Sequence, residues 1–176
     1  MLPRVLDRLA DRAVMIPSSA LLGLVLIGFA GESWGNGIGW AALLATWLVL
    51  GIGYSAAQTP TGRLLRRSAS AEDRPAVFAA QFALSHAAWL VTYPLAGWLG
   101  ATVGMPATLA ALGAVTLAAT AAAVLLWPSD DPEAVEHAHP ELDAAHPHLA
   151  AAHGRRHAHA YVIDDLHHHW PSGRPG

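Results

Sequence analysis

The sequence predicts an all-α transmembrane fold: four membrane-crossing helices followed by a largely disordered tail rich in histidine. Three observations predict it. Of the 176 residues, 53% are hydrophobic and only 13% charged, about half the charge a soluble domain carries. The charges leave long uncharged runs at 13–31, 33–62 and 75–129, with His86 counted as neutral. The arginines of the first 127 residues fall into two short clusters, Arg4, Arg8 and Arg12, then Arg63, Arg66, Arg67 and Arg74.

Each uncharged run translates into helix. A spanning helix needs about 20 mostly apolar residues to cross a ~30 Å hydrocarbon layer. The first run supplies a span at about 14–31 and the second at about 38–57. The third is too long for one crossing and breaks at "GATVGMP", 100–106, where two glycines and a proline favour a turn. That leaves spans at about 76–99 and 107–127. Strands are excluded, because an open sheet cannot satisfy its backbone in lipid and the runs lack the alternation of a barrel strand. The start of the chain also has the basic-then-apolar pattern of a signal peptide; Asp7, Asp11 and the length of the apolar run fit a retained helix better.

Orientation follows from arginine. Short Arg-rich loops stay in the cytoplasm. The segment before span 1 and the loop "QTPTGRLLRRSASAEDR" between spans 2 and 3 carry arginine, whereas "ESWGNG" and "GATVGMP" carry none. Both termini are therefore expected in the cytoplasm of a bacterial inner-membrane protein. Trp34, Trp40 and Trp98 belong near the outer interface and Trp127 near the inner one, as an aromatic belt requires.

Composition also divides the chain into a membrane region, 1–127, and a tail, 128–176. The first carries seven arginines and five acids; the second carries three arginines, eight acids and ten of the eleven histidines. Cysteine and lysine are absent, which excludes a disulfide scaffold and any thiolate site. There is no phosphate-cradling glycine loop, and the arginines lie at membrane edges without interleaved aromatics, so nucleic acid is not an expected partner. The spans hold no paired carboxylates, zinc-protease motif or nucleophile motif, so the chain does not read as an enzyme.

Polar groups inside a bilayer are costly and therefore candidates for function. Span 3 holds most of them. Gln81, Ser85 and Trp89 share one helical stripe, and His86 and Tyr93 a neighbouring one. His86 can exchange a proton near neutral pH, which would suit a substrate or proton pathway; the plainer role for all five is hydrogen bonding and packing between helices. Tyr54, Ser55 and Gln58 read as interfacial anchors. Gly51 and Gly53 permit close packing or a yielding helix end, and Arg63, Arg66 and Arg67 can fix topology, bind anionic headgroups or pair with Glu72 and Asp73.

In the tail, His-X-His occurs at His137/His139, His146/His148 and His157/His159, followed by His167, His168 and His169. Residues two apart on an extended chain share a side, so each pair can offer two imidazoles to zinc, nickel, copper or cobalt, with Glu141 or Asp143 completing a site. Composition alone makes this a weak, adventitious or regulatory divalent-metal site. Low hydrophobicity and Pro140 and Pro147 predict disorder between about 130 and 158. "YVIDDLHHHW", 161–170, is expected to dock as a short amphipathic turn on the cytoplasmic face.

"LDRLADRAVM", with Asp7, Arg8, Asp11 and Arg12, resembles the short cytoplasmic Asp-Arg motif of the major facilitator superfamily. "GIGYSAAQTPTGRLLRRS" is similar to a facilitator helix leaving the membrane at a proline into a basic loop, and "RPAVFAAQFALSHAAWLVTYPLAGWLG" resembles the penultimate helix of those transporters. The likeness covers about residues 1–127. The Asp-Arg motif departs from the family pattern: Ala13, Val14 and Met15 follow Arg12 where Gly-Arg-Arg or similar is usual. The resemblance implies the last four helices of a twelve-helix bundle, with missing N-terminal helices as partners, no cofactor, the lipid bilayer as surroundings and a small molecule or ion as substrate. Two further readings stand beside it: a divalent-metal efflux protein of the same fold that uses the tail, and a free-standing four-helix accessory protein.

Overall fold

The computed structural model describes residues 10–129, 134–140, 142–143, 146–149 and 156–170. Asp7, Arg8 and Glu141 lie outside the described residues. Among the described residues five helices come first: α1 (Asp11–Asn36), α2 (Trp40–Gln58), the short α3 (Thr61–Arg67), α4 (Arg74–Thr102) and α5 (Met105–Leu126). Two strands follow, β1 (Ala134–Ala138) and β2 (Arg156–Ala160), with a 3-10 turn (Pro147–Leu149) between them.

Local chemistry sets the boundaries. Asp11 stands in the first turn of α1, where a negative charge meets the positive end of the helix dipole. The helix stops at Gly37, whose φ of 74° suits only a residue without a Cβ, and the Gly37 N–H bonds Ser33 O at 3.2 Å. Gly104, with φ 85°, makes the turn between α4 and α5, and Pro106 opens α5 in its first turn. Pro17 and Pro94 lie inside α1 and α4. Hydroxyls within the spans bond their own helix: Ser33 to Phe29 O (2.7 Å), Thr108 to Gly104 O (2.9 Å) and Thr120 to Thr116 O (2.8 Å). That satisfies them without water.

Among the described residues four helical stretches are long and apolar enough to cross a membrane: Asp11–Asn36, Trp40–Arg67, Arg74–Thr102 and Met105–Leu126. Each overlaps one of the four expected spans: the helices at 11–36 and 74–102 run two to five residues further at each end, and the second stretch continues through α3. The turn expected at 100–106 narrows to Val103 and Gly104. The loop between spans 2 and 3 is more ordered than its composition suggests: Pro60 caps α3, and Arg66 and Arg67 occupy its last turn, the favourable end for cations.

Packing is centred on α1, which lies mainly against α5 and secondly against α2; α4 packs less extensively, against α5 and against α3. Small residues permit the closest approach. A Cβ on Gly113 would stand 2.7 Å from Ile27 Cγ1 and 2.9 Å from Gly23 O, so the two backbones cross where neither has a side chain. Gly53 packs on Leu22, whereas Gly51 meets nothing within 4 Å. No residue of α4 is buried.

Among the described residues of the tail, two strands form within the segment expected to be disordered. β1 and β2 pair antiparallel in the register His137↔His157 and Val135↔His159. Strand-favouring β-branched residues are nearly absent here, so side-chain alternation supplies the order: in both strands the histidine-bearing positions are half-buried and their neighbours exposed.

Candidate functional site

One end of the bundle gathers the arginines. Asp11 is 4% exposed, and Arg63 donates to its Oδ1 from Nε at 2.8 Å and also from Nη2. Arg12 turns the other way and donates from Nε to Trp127 O (3.2 Å) and from Nη2 to Val124 O (3.1 Å). It thus satisfies carbonyls at the end of α5 that have no helical partner. The Asp-Arg pair therefore ties three elements together: α1, α3 and the end of α5. Of the remaining arginines, Arg66 bonds Gly62 O at 3.2 Å, and Arg74 bonds Arg66 O and Ala69 O, each at 3.3 Å. Asp73 is engaged by Ser70, whose Oγ donates to Oδ2 at 2.9 Å.

The segment 161–170 lies on this same end. The Ile163 N–H bonds Arg67 O at 3.1 Å, and the Arg67 guanidinium stacks over the Trp170 ring at 5.2 Å. Tyr161 is 6% exposed and donates its hydroxyl to His169 O at 2.9 Å. A cavity of about 310 Å³ remains between tail and helices, lined by Arg63, Arg66, Arg67, Arg74, Tyr161 and Val162.

In α4 Gln81 and Ser85 are half-buried, and His86, Trp89 and Tyr93 are exposed. Gln81 Nε2 donates to Ser85 Oγ at 3.0 Å. His86, Trp89 and Tyr93 make a ring ladder, with centroids 4.9 Å and then 6.1 Å apart, beside an open apolar groove that reaches Pro94. His86 Nδ1 stands 2.8 Å from Phe82 O. A carbonyl only accepts, so Nδ1 carries the proton and the Nε2 of the neutral ring carries a lone pair. Gln58 Nε2 donates to the Tyr54 hydroxyl at 3.1 Å, which holds the end of α2.

The tail histidines converge far more than their composition implies. His137 stands opposite His157 and shares its face of the two-stranded sheet with His159, while His139 follows one residue past the end of β1. His148 closes over that face from the 3-10 turn: its Nε2 stands 3.0 Å from His157 Nε2 and 3.3 Å from His159 Nε2. His167 closes the other side, with its Nε2 2.9 Å from His137 Nε2 and 3.2 Å from His139 Nε2. Two overlapping quartets could each hold a metal ion: His137, His139, His148 and His157, or His137, His148, His159 and His167. His146 instead accepts the His148 N–H on its Nδ1, and His168 and His169 belong to the surface beside Trp170.

The electrostatics favour neutral rings at His137, His148 and His157. Burial first, then the neighbouring imidazoles, lowers His137 and His148 below the usual imidazole range and takes His157 down to about 4. Burial pushes Asp164 up, but hydrogen bonds from the Leu166 N–H and from His167 outweigh it, and its carboxyl lies below the usual range. Of the expected Glu141 and Asp143, Glu141 lies outside the described residues; Asp164 is a carboxylate that meets the cluster and that the sequence does not single out. Its Oδ1 accepts from His167 Nδ1 at 2.7 Å. Its position three residues before His167 is the signal that could have found it.

Four long apolar helices with an arginine-clasped end define a multi-pass helical membrane protein. More narrowly, the family model described as Major Facilitator Superfamily matches residues 2–163, and the chain belongs to that superfamily of membrane transporters. The match runs past residue 127 into the tail. No curated protein and no solved structure gives a significant match to the chain.

Proposed function

We propose that this chain is part of a secondary transporter that moves a small solute across the bacterial inner membrane by alternating access, driven by an ion gradient, with both ends of the chain in the cytoplasm. The observation that carries the proposal is the clasp at the arginine-bearing end in a member of a transporter superfamily. Asp11 with Arg63, and Arg12 with the end of α5, join elements that must separate or slide when that end of a bundle opens. Breaking and remaking such contacts is how a rocking bundle changes the side it exposes.

Alternating access needs two six-helix halves, so the four helices are read as the last third of the bundle. The exposed face of α4 then turns toward the remaining helices. There His86, with a free Nε2, is the group suited to take up a proton, and Gln81, Ser85, Trp89 and Tyr93 line its path. Inside-out vesicles from cells expressing the complete transporter, this chain together with the N-terminal helices it is read to follow, offered a panel of labelled solutes, test the proposal. Accumulation that collapses with an uncoupler is expected, and accumulation no different from vesicles without the protein contradicts it. An upstream reading frame encoding about eight further apolar segments is expected from the twelve-helix architecture; a stop codon and ribosome-binding site before Met1 would favour the free-standing accessory protein.

The imidazole cluster supports a second reading, divalent-metal efflux. Metal-sensitive growth on deletion of 128–176 would favour it over an organic solute.

A further inference from the structure

Six imidazoles meet in one place, and the protons of three are committed elsewhere. His137 Nδ1 lies 2.9 Å from Val135 O, His159 Nδ1 2.8 Å from Ala160 O, and His167 Nδ1 2.7 Å from Asp164 Oδ1. Each of these oxygens only accepts, so in the neutral rings Nδ1 carries the proton and Nε2 a lone pair. Yet His137 Nε2 and His167 Nε2 stand 2.9 Å apart. Two lone pairs at that distance repel, and a cation held between them turns the repulsion into coordination. The burial of His139 and His167, 4% and 3% exposed, shields such an ion from water.

The spacings identify the kind of ion. Metal–imidazole bonds of about 2.0–2.1 Å place two nitrogens about 3.3 Å apart at a tetrahedral angle and about 2.9 Å apart at a right angle. The separations around the cluster run from 2.9 to 3.3 Å. Zinc in structural sites takes four ligands, and imidazole also suits nickel and other first-row ions. Two of these spacings, 2.9 and 3.0 Å, lie near the right-angle value, and six nitrogens suit an ion that accepts six.

We propose that His137, His139, His148, His157, His159 and His167 form one site for a single divalent first-row transition-metal ion of the nickel or cobalt kind, bound through Nε2. Val135 O, Ala160 O and Asp164 hold the outer nitrogens and so fix the rings. This is the hydrogen-bonded outer shell that metal-ligating histidines require. The site lies outside the four spans and holds its ion whatever solute the bundle moves.

The test uses the full chain in detergent, purified with a tag free of histidine and stripped with a chelator. Calorimetric titration with Ni²⁺ should show one tight event of one ion per chain. His137→Ala and His148→Ala should each weaken it at least about tenfold, and His146→Ala, His168→Ala and His169→Ala should leave it within about twofold. The Co²⁺ form should show the weak visible absorption of six-coordination, with unchanged far-ultraviolet dichroism in every variant to report an intact fold. An intense four-coordinate Co²⁺ spectrum overturns the six-ligand assignment. Several equivalent ions per chain, or affinity that falls with each histidine removed regardless of position, overturns the site and leaves only adventitious chelation by a His-rich tail.

Discussion

Arg63 and Asp11 are joined across 52 positions of sequence by a hydrogen bond of 2.8 Å from Nε to Oδ1. Among the described residues Asp11 Oδ2 is buried with no partner, and Arg63 compensates this carboxylate. Removing one member of a buried ion pair costs about 3–5 kcal/mol. The Arg63 side chain is 28% exposed, which places Arg63→Ala near the lower end, about 3 kcal/mol. Asp11→Ala with Arg63→Ala should recover much of that loss, because no buried charge is left unpaired. Thermal unfolding in detergent of the two single variants and the double variant measures the coupling.

Gly113 and Gly23 form the point where α5 crosses α1. A Cβ at Gly113 meets backbone, Gly23 O at 2.9 Å and Ile27 N at 3.2 Å, and backbone cannot rotate away. Gly113→Ala should therefore destabilise by about 1–3 kcal/mol, the usual cost of overpacking. Gly28→Ala and Gly97→Ala face open space and should be neutral or slightly stabilising, since alanine is the better helix former. Detergent melting temperatures of the three variants check the contrast.

Tyr161 links the imidazole cluster to the docked segment, with ring centroids 5.1 Å from His137 and 5.0 Å from Trp170. Chelation of a bound ion should loosen both. Hydrogen exchange at the Ile163 N–H, bonded to Arg67 O, should quicken on chelation and slow again with Ni²⁺, while amides inside α5 stay unchanged. Deleting 161–170 should alter transport or stability, and identical behaviour of the deleted and complete chains would remove the docking role.

Asp164 acts on the cluster through His167. Asp164→Asn should weaken Ni²⁺ binding by about 10–100-fold, the usual effect of an outer-shell partner. The Co²⁺ spectrum should keep its shape, because every ligand remains. Loss of affinity with a changed spectrum would instead mean that the tail had refolded.

The membrane helices were legible because charge is so expensive in lipid that its absence marks each span, and arginine marks one end. Helix ends were less legible. Glu32 and Asn36 are polar yet continue α1 to its end, because helical hydrogen bonding does not stop where the apolar surroundings do. α3 was hidden in its own charges, although Pro60 and the terminal arginines are its signals. In the tail the two-residue His-X-His period pointed to shared faces. The register that sets His137 against His157 is a non-local property, as is the arrival of His148 and His167 from turns. For the same reason the sequence pairs His146 with His148, and the structure turns only His148 inward. The Asp11–Arg63 pairing was not readable either, since both residues had closer candidate partners in sequence.

The claim on which the rest stands is that the chain crosses the membrane four times with its arginine-clasped end in the cytoplasm. The absence of cysteine allows it to be tested directly by adding one thiol at a time, as Ile38→Cys, Leu65→Cys, Val103→Cys and Ala134→Cys, and treating intact cells with a membrane-impermeant maleimide. Labelling at 38 and 103 from outside, with 65 and 134 labelled only after permeabilisation, is the expected result. Labelling of 65 from outside, or of all four positions alike in intact cells, would contradict it.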